Sequence, residues 1–222
     1  MKQLFFLAVF ACFTLTATAQ QYTAKGESDP EAKAILNKIK KKYEAYTSIE
    51  ADFTLTIEFP EEPKEVQKGK LKQRGEKYRV ELATQSVISN GETLWLWLKD
   101  NKDVQINDVE EMGEDGLSPT DLLRIYEKED YVYILANEFT EKGIGVQQIE
   151  FKPLDEDNEY SKLRLTVAKK SGKILRVKVF GKDGSKFTLA IENLASDVAL
   201  GDSVFEWSKK ECPDCHVEDL RF

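Results

Sequence analysis

Hydrophobic and polar residues alternate without a break from Ile49 to Phe59. Ile49, Ala51, Phe53, Leu55, Ile57 and Phe59 fall on one side of a pleat and Glu50, Asp52, Thr54, Thr56 and Glu58 on the other. A period of two marks a β-strand with one face on a core. Pro60-Glu61-Glu62-Pro63 ends it, and Val66 to Arg74 reads as a basic return strand with Leu71 facing inward. From Gly69 to Asp108, short apolar runs are separated by Arg74-Gly75, Asn90-Gly91 and Asp100-Asn101, the punctuation of successive antiparallel strands. In the run Thr93 to Leu98, three leucines share one pleat face and Trp95 and Trp97 the other, so apolar material has to cover both sides.

Strand patterns resume at Tyr131 to Leu135, Gln147 to Phe151, Leu163 to Val167, Ile174 to Phe180 and Phe187 to Ile191, joined by plain turns such as Lys182-Asp183-Gly184. Two segments have the helical period instead. Asp29-Pro30 supplies a cap and a first-turn proline for Ala32, Ile35, Leu36, Ile39, Tyr43 and Tyr46, an amphipathic helix of about four turns with a lysine-rich outer face. Ser118-Pro119-Thr120-Asp121 opens a shorter one carrying Leu122, Leu123, Ile125 and Tyr126. Ten to eleven strands with two helices make an antiparallel α+β fold. Such a sheet closes, splits into a sandwich or curls round its own apolar face, and periodicity does not choose among these.

The first residues do not belong to that fold. Lys2, the apolar run from Leu4 to Leu15 and the small residues Ala17 and Ala19 read as a secretory signal peptide over residues 1–19, too short in its apolar core to span a bilayer. A lipoprotein signal ending at Cys12 is disfavoured by the bulky Phe10. Residues 20–222 then form a single domain, expected in the periplasm as a soluble monomer. The formal net charge of −8 sets the chain against nucleic-acid phosphate and anionic headgroups, so no nucleic-acid partner is expected.

Several stretches together resemble the LolA family, the periplasmic carriers of outer-membrane lipoproteins. The residues concerned are a strand ending Lys72-Gln73-Arg74, the short strand Lys77-Tyr78-Arg79-Val80-Glu81, the run from Ser89 through Leu98, a Val104-Gln105 pair and the ending Val217-Glu218-Asp219-Leu220-Arg221. The resemblance implies an incomplete antiparallel β-barrel covered by a lid of short helices, with an apolar cavity for lipoprotein acyl chains. It implies a lipidated protein as cargo, an inner-membrane exporter and an outer-membrane receptor as partners, and no cofactor. Leu122 and Leu123 would then belong to the lid. Arg74, at the place of a family arginine, would hydrogen-bond that lid and hold the empty carrier shut, although Gly75 replaces the proline that usually follows. Phe53, Leu55, Trp95 and Trp97 on the strands, with Ile35 and Ile39 on the first helix, are the candidates to line the cavity, although tryptophans in such places are more often filled core than ligand contacts. A periplasmic lipid-sensing regulatory module on the same fold is the alternative.

Chemistry of other kinds has little to build on. His216 is the only histidine, so neither a His-dependent triad nor a multi-histidine metal site is expected, and the chain is read as a non-enzyme. Cys212-Pro213-Asp214-Cys215-His216 fits a haem-attachment signature, a redox dithiol or a tight disulfide. The motif comes after the last strand that the pattern predicts, with no helical pocket for haem and no βαβ unit for a thioredoxin-like site, which favours the disulfide. The exported protein should accordingly show no thiol by alkylation mass under denaturing conditions. A Soret band in protein made with intact cytochrome-maturation machinery would contradict this reading.

Overall fold

The computed structural model describes residues 28–109, 127 and 130–221. Its strands are β1 (Ile49–Glu58), β2 (Glu65–Arg74), β3 (Lys77–Glu81), β4 (Gln85–Ser89), β5 (Thr93–Leu98), β6 (Asp103–Asp108), β7 (Tyr131–Glu141), β8 (Ile144–Pro153), β9 (Tyr160–Ala168), β10 (Ile174–Gly181), β11 (Lys186–Ser196) and β12 (His216–Asp219). Hydrogen bonding places all twelve in one sheet, in the order β12-β6-β5-β4-β3-β2-β1-β11-β10-β9-β8-β7. The sheet is open, with β7 and β12 as its edges. β1, the most regular alternation in the sequence, lies at its middle, paired with β2 on one side and β11 on the other.

Two features differ from the sequence expectation. A twelfth strand is present, and it runs parallel to β6 in an otherwise antiparallel sheet. His216-Val217-Glu218-Asp219 has no alternation to announce it; the unpaired edge of β6 supplies the partner that makes it a strand. The described residues also contain one α-helix, α1 (Pro30–Glu44), rather than a set of short ones. The segment carrying Leu122 and Leu123 lies outside the described residues, as does the signal peptide.

α1 forms where the spacing predicts. The Asp29 side chain caps it by accepting the Glu31 N–H at 2.8 Å. The same residue ties the helix to the sheet edge, donating its own N–H to the Tyr133 carbonyl at 2.9 Å and accepting the Leu135 N–H at 3.1 Å. β7 therefore does not present a bare edge along this stretch. Ala32, Leu36, Ile39 and Tyr43 are buried and form one core with Ile49, Ala51, Tyr133, Ile149, Phe151, Leu163, Leu165 and Val167. At the other end of the helix, the buried Tyr43 hydroxyl accepts the Ile174 N–H at 3.0 Å. Among the described residues no helix is long and apolar enough to cross a membrane.

Residues paired across a sheet share a face, so the register assigns each side chain to the face under α1, the inner face, or to the outer one. Phe53 pairs with Gly69 on the inner face. A Cβ on Gly69 would stand 2.2 Å from the Phe53 ring and 2.9 Å from the Glu81 carbonyl oxygen, so the glycine is what lets the ring lie across β2.

The outer face of β2 and β3 is braced by the segment that follows β11, residues 197–215. The Arg74 guanidinium donates to the Leu200 carbonyl at 2.6 Å and pairs with Asp202, which Lys77 also reaches at 2.8 Å. Arg74 also lies over the ring of Phe205, 5.3 Å from its centroid. Arg79, only 11 % exposed at its side chain, bonds Glu81 at 2.9 Å and Glu211 at 2.6 Å. Burial works against its charge, and these two carboxylates overcome that and hold the guanidinium protonated. A disulfide joins Cys212 to Cys215 where this strap turns into β12, and Lys102 pairs with Asp214 at 2.5 Å. The cysteine motif therefore precedes the last strand instead of following it.

Two consequences can be measured. Gly69→Ala should lower stability in chemical denaturation by about 1–3 kcal/mol, the usual cost of overpacking, and adding Phe53→Leu should recover part of it. An unchanged denaturation midpoint would mean that the ring is not seated over Gly69. The strap carboxylates set a pH dependence. Lys77 and Arg74 hold Asp202, and Lys102 holds Asp214, below the usual carboxylate range, while Arg221 draws Asp219 down to about 2. A depressed folded pKa gives stabilisation that is complete above the unfolded value, roughly 4, and fades as pH falls through the folded one. Intrinsically corrected protection of the His216 and Leu220 amides, which bond the Lys102 and Ile106 carbonyls at 2.8 Å, should hold constant from pH 7 to about 4 and fall below it. A fall between pH 7 and 5 would contradict this assignment.

Candidate functional site

On the inner face, the core beneath α1 gathers β7 to β10 and the first part of β1. Beyond it the same face continues, apolar and only partly buried. Leu55 and Ile57 on β1, Phe187 and Leu189 on β11, Val80 on β3, Val87 on β4 and Leu96 and Leu98 on β5 are all of intermediate exposure. The registers of β1 with β11 and β2, and of the β2 to β5 meander, set these side chains on one side of the sheet. Their backbone groups are used in the ladders, and the polar side chains that the registers set on this face include Ser89, Gln67, Gln73, Gln85, Gln105 and Asn107, with Glu65 beside Ile57 and Asp103 beside Leu98. A long apolar chain could lie on it; an anionic ligand would find no counter-ion among these residues.

The candidates named from sequence divide between the two faces. Phe53 and Leu55 lie on the inner face, Phe53 buried and Leu55 partly exposed. Ile35 packs at the edge of the core, and Ile39, 2 % exposed, is sealed inside it. Ile39 is thus core under the helix instead of cavity wall. Trp95 and Trp97 require a correction. They pair with Ile106 and Val104, on the outer face, while Leu94, Leu96 and Leu98 point inward. An apolar strand with no polar face does need cover on both sides; the leucines, and not the larger tryptophans, face the open side. The Lys99 ammonium stands 5.5 Å from the Trp97 ring centroid, a contact of the outer surface.

Arg74 lies on the other face as well. It emerges on the outer face beside its cross-strand neighbour Lys77, and its partners are the strap groups Leu200 and Asp202. An even position on β2 points away from α1, since Leu71 and Gln73 point toward it. A latch between Arg74 and an inner-face lid is not what the described residues show. The inner-face residues that the sequence reading did not name as cavity candidates are Val80, Val87, Leu96 and Leu189. Their signal was present in the apolar runs of β3, β4, β5 and β11, but assigning a face needs the register, and tryptophan size pointed to the wrong side of β5.

No curated protein matches this chain significantly in sequence. In fold it is similar to an uncharacterised conserved protein from Thermus thermophilus, at 13 % identity and a TM-score of 0.58, covering 86 % of this chain and 99 % of that one. It is similar also to the lipoprotein LppX of Mycobacterium tuberculosis, at 13 % identity and a TM-score of 0.51, covering 78 % and 99 %. A model of the family described as outer membrane lipoprotein carrier protein LolA matches residues 44–208. That stretch takes in the sheet from β1 to β11, including every strand of the open inner face, and most of the strap. The chain belongs to the LolA family.

Proposed function

We propose that this protein is a non-enzymatic periplasmic carrier, exported by the signal over residues 1–19, that shelters the acyl chains of lipoproteins or another long-chain lipid and moves them toward the outer membrane. The observation that carries the reading is the partly exposed apolar surface that continues from the core onto Leu55, Val80, Leu96 and Leu189. Family membership supports the cargo class. Each methylene kept from water contributes about 0.8 kcal/mol, so a sixteen-carbon chain resists transfer into water by roughly 12 kcal/mol. A soluble shelter removes that barrier without a chemical step or a cofactor. An exporter at the inner membrane and a receptor at the outer one are the partners such a carrier would meet.

The two faces give the test. Leu96→Asp and Val80→Asp should each weaken binding of a fluorescent diacyl lipopeptide at least tenfold, because a carboxylate then sits on the surface the chain must cover. Trp97→Phe, on the other face, should leave affinity within twofold, and all three variants should melt within a few degrees of the parent. Weakening by Trp97→Phe but not by Leu96→Asp would place the cargo elsewhere.

A further inference from the structure

Resting on the carrier reading, we infer that acyl chains enter the inner face at one end of the sheet, over Phe59 and Phe187, and that acidic hairpin tips there select chains borne on an uncharged or cationic head. The β1–β2, β8–β9 and β10–β11 turns gather at this end. The Lys182 N–H bonds the Glu159 carbonyl at 3.0 Å, and Gly184 lies so close to Pro60 that a Cβ would approach its ring to 3.0 Å. α1 leaves the end uncovered: the core takes in Ile49 and Ala51 from β1, but not Leu55, Ile57, Phe187 or Leu189.

Phe59 is the outermost residue of that path. It is 43 % exposed, on the inner side of the alternation that runs Leu55, Ile57, Phe59, and its ring meets Phe187 edge-on at 6.0 Å between centroids. Ile57 pairs with Phe187 and Leu55 with Leu189, so an apolar track leads from the rim inward. An exposed aromatic continuous with a partly exposed apolar wall is a threshold for a chain; an isolated surface aromatic is not. Phe139 shows the contrast. It is equally exposed, at 41 %, but lies on the outer face near the opposite end, beside the β7–β8 turn.

The charge around the threshold is predominantly acidic. Glu61, Glu62 and Glu65 stand on the β1–β2 hairpin, and Asp155, Glu156 and Asp157 on the β8–β9 turn. Among the lysines at this end, Lys64 pairs with Glu58 at 3.6 Å, while Lys182, whose ammonium bonds the Glu156 carbonyl, and Lys186 beside Phe187 keep their charge, so the acids outnumber the bases. A fatty-acid carboxylate or a phosphate headgroup would cross this collar against like charge, whereas an acylated cysteine in a neutral or basic peptide would not.

The test is stopped-flow association of pyrene-labelled acyl probes carrying a hydroxyl, trimethylammonium or carboxylate head. The parent should take up the first two at least tenfold faster than the third at low salt, with the gap closing at high salt. Phe59→Asp, and Phe59→Ala as a milder variant, should slow uptake of all probes, tenfold or more for Asp, without shifting the melting temperature; Phe139→Asp should not. Glu61→Gln/Glu62→Gln/Glu65→Gln should raise the carboxylate rate severalfold. If the parent binds none of the probes, the carrier reading itself fails. If it binds them and Phe59→Asp has no effect, or no more than Phe139→Asp, the entrance lies elsewhere and the inference is overturned. A parent that takes up all three heads alike would overturn the acidic selection.

Discussion

One helix cannot cover twelve strands. With neighbours about 4.8 Å apart the sheet spans roughly 50 Å across its strands, whereas α1, with 15 residues, is about 22 Å long and near 10 Å wide. It closes the apolar face over β7 to β10 and the start of β1, and the inner face of the strands beyond is left partly open to whatever else can lie there. The wall does not collapse for lack of filling, because the strands are held by their own ladders and the outer side of β2 and β3 is clamped by the strap through Arg74, Lys77 and Arg79. An open apolar face on one side and charged bracing on the other follow from the same meander.

That arrangement separates what stabilises the protein from what serves its proposed work. The core under α1 and the strap ion pairs supply order, and the residues between them, Leu55, Val80, Leu96 and Leu189, are those whose burial is incomplete. Incomplete burial forgoes stabilisation of roughly 25 cal/mol for each square ångström left accessible. An acyl chain lying on the same residues would restore it, which couples occupancy to stability.

Much of this was legible in the chain. The alternation of β1 and the cap and spacing of α1 predict those elements nearly to the residue, because each has a single face in contact with the core and the sequence period reports that face directly. β9 and β10 were legible for the same reason, with Leu163, Leu165, Val177 and Val179 inward and Arg164, Arg176 and Lys178 outward. β5 was not: with leucines on one side and tryptophans on the other, periodicity identifies a strand covered twice but cannot say which cover is the strap. β12 was invisible because its order comes from the edge of β6 and from the disulfide beside it, neither of which leaves a pattern in four residues. The partners of Arg74 were not legible for a related cause. Its chain position matches the family, but the face it occupies is set by parity along β2, and that face meets Asp202.

The central claim is that the inner face beyond α1 receives an acyl chain. Photocrosslinking with a diacyl lipopeptide carrying a diazirine along one chain, followed by peptide mapping, examines it most directly. Labels are expected on the strands bearing Leu55, Val80, Leu96 and Leu189, at one lipopeptide per protein. Labels confined to Trp95, Trp97 and the strap, or none above the level seen with a denatured control, would contradict it.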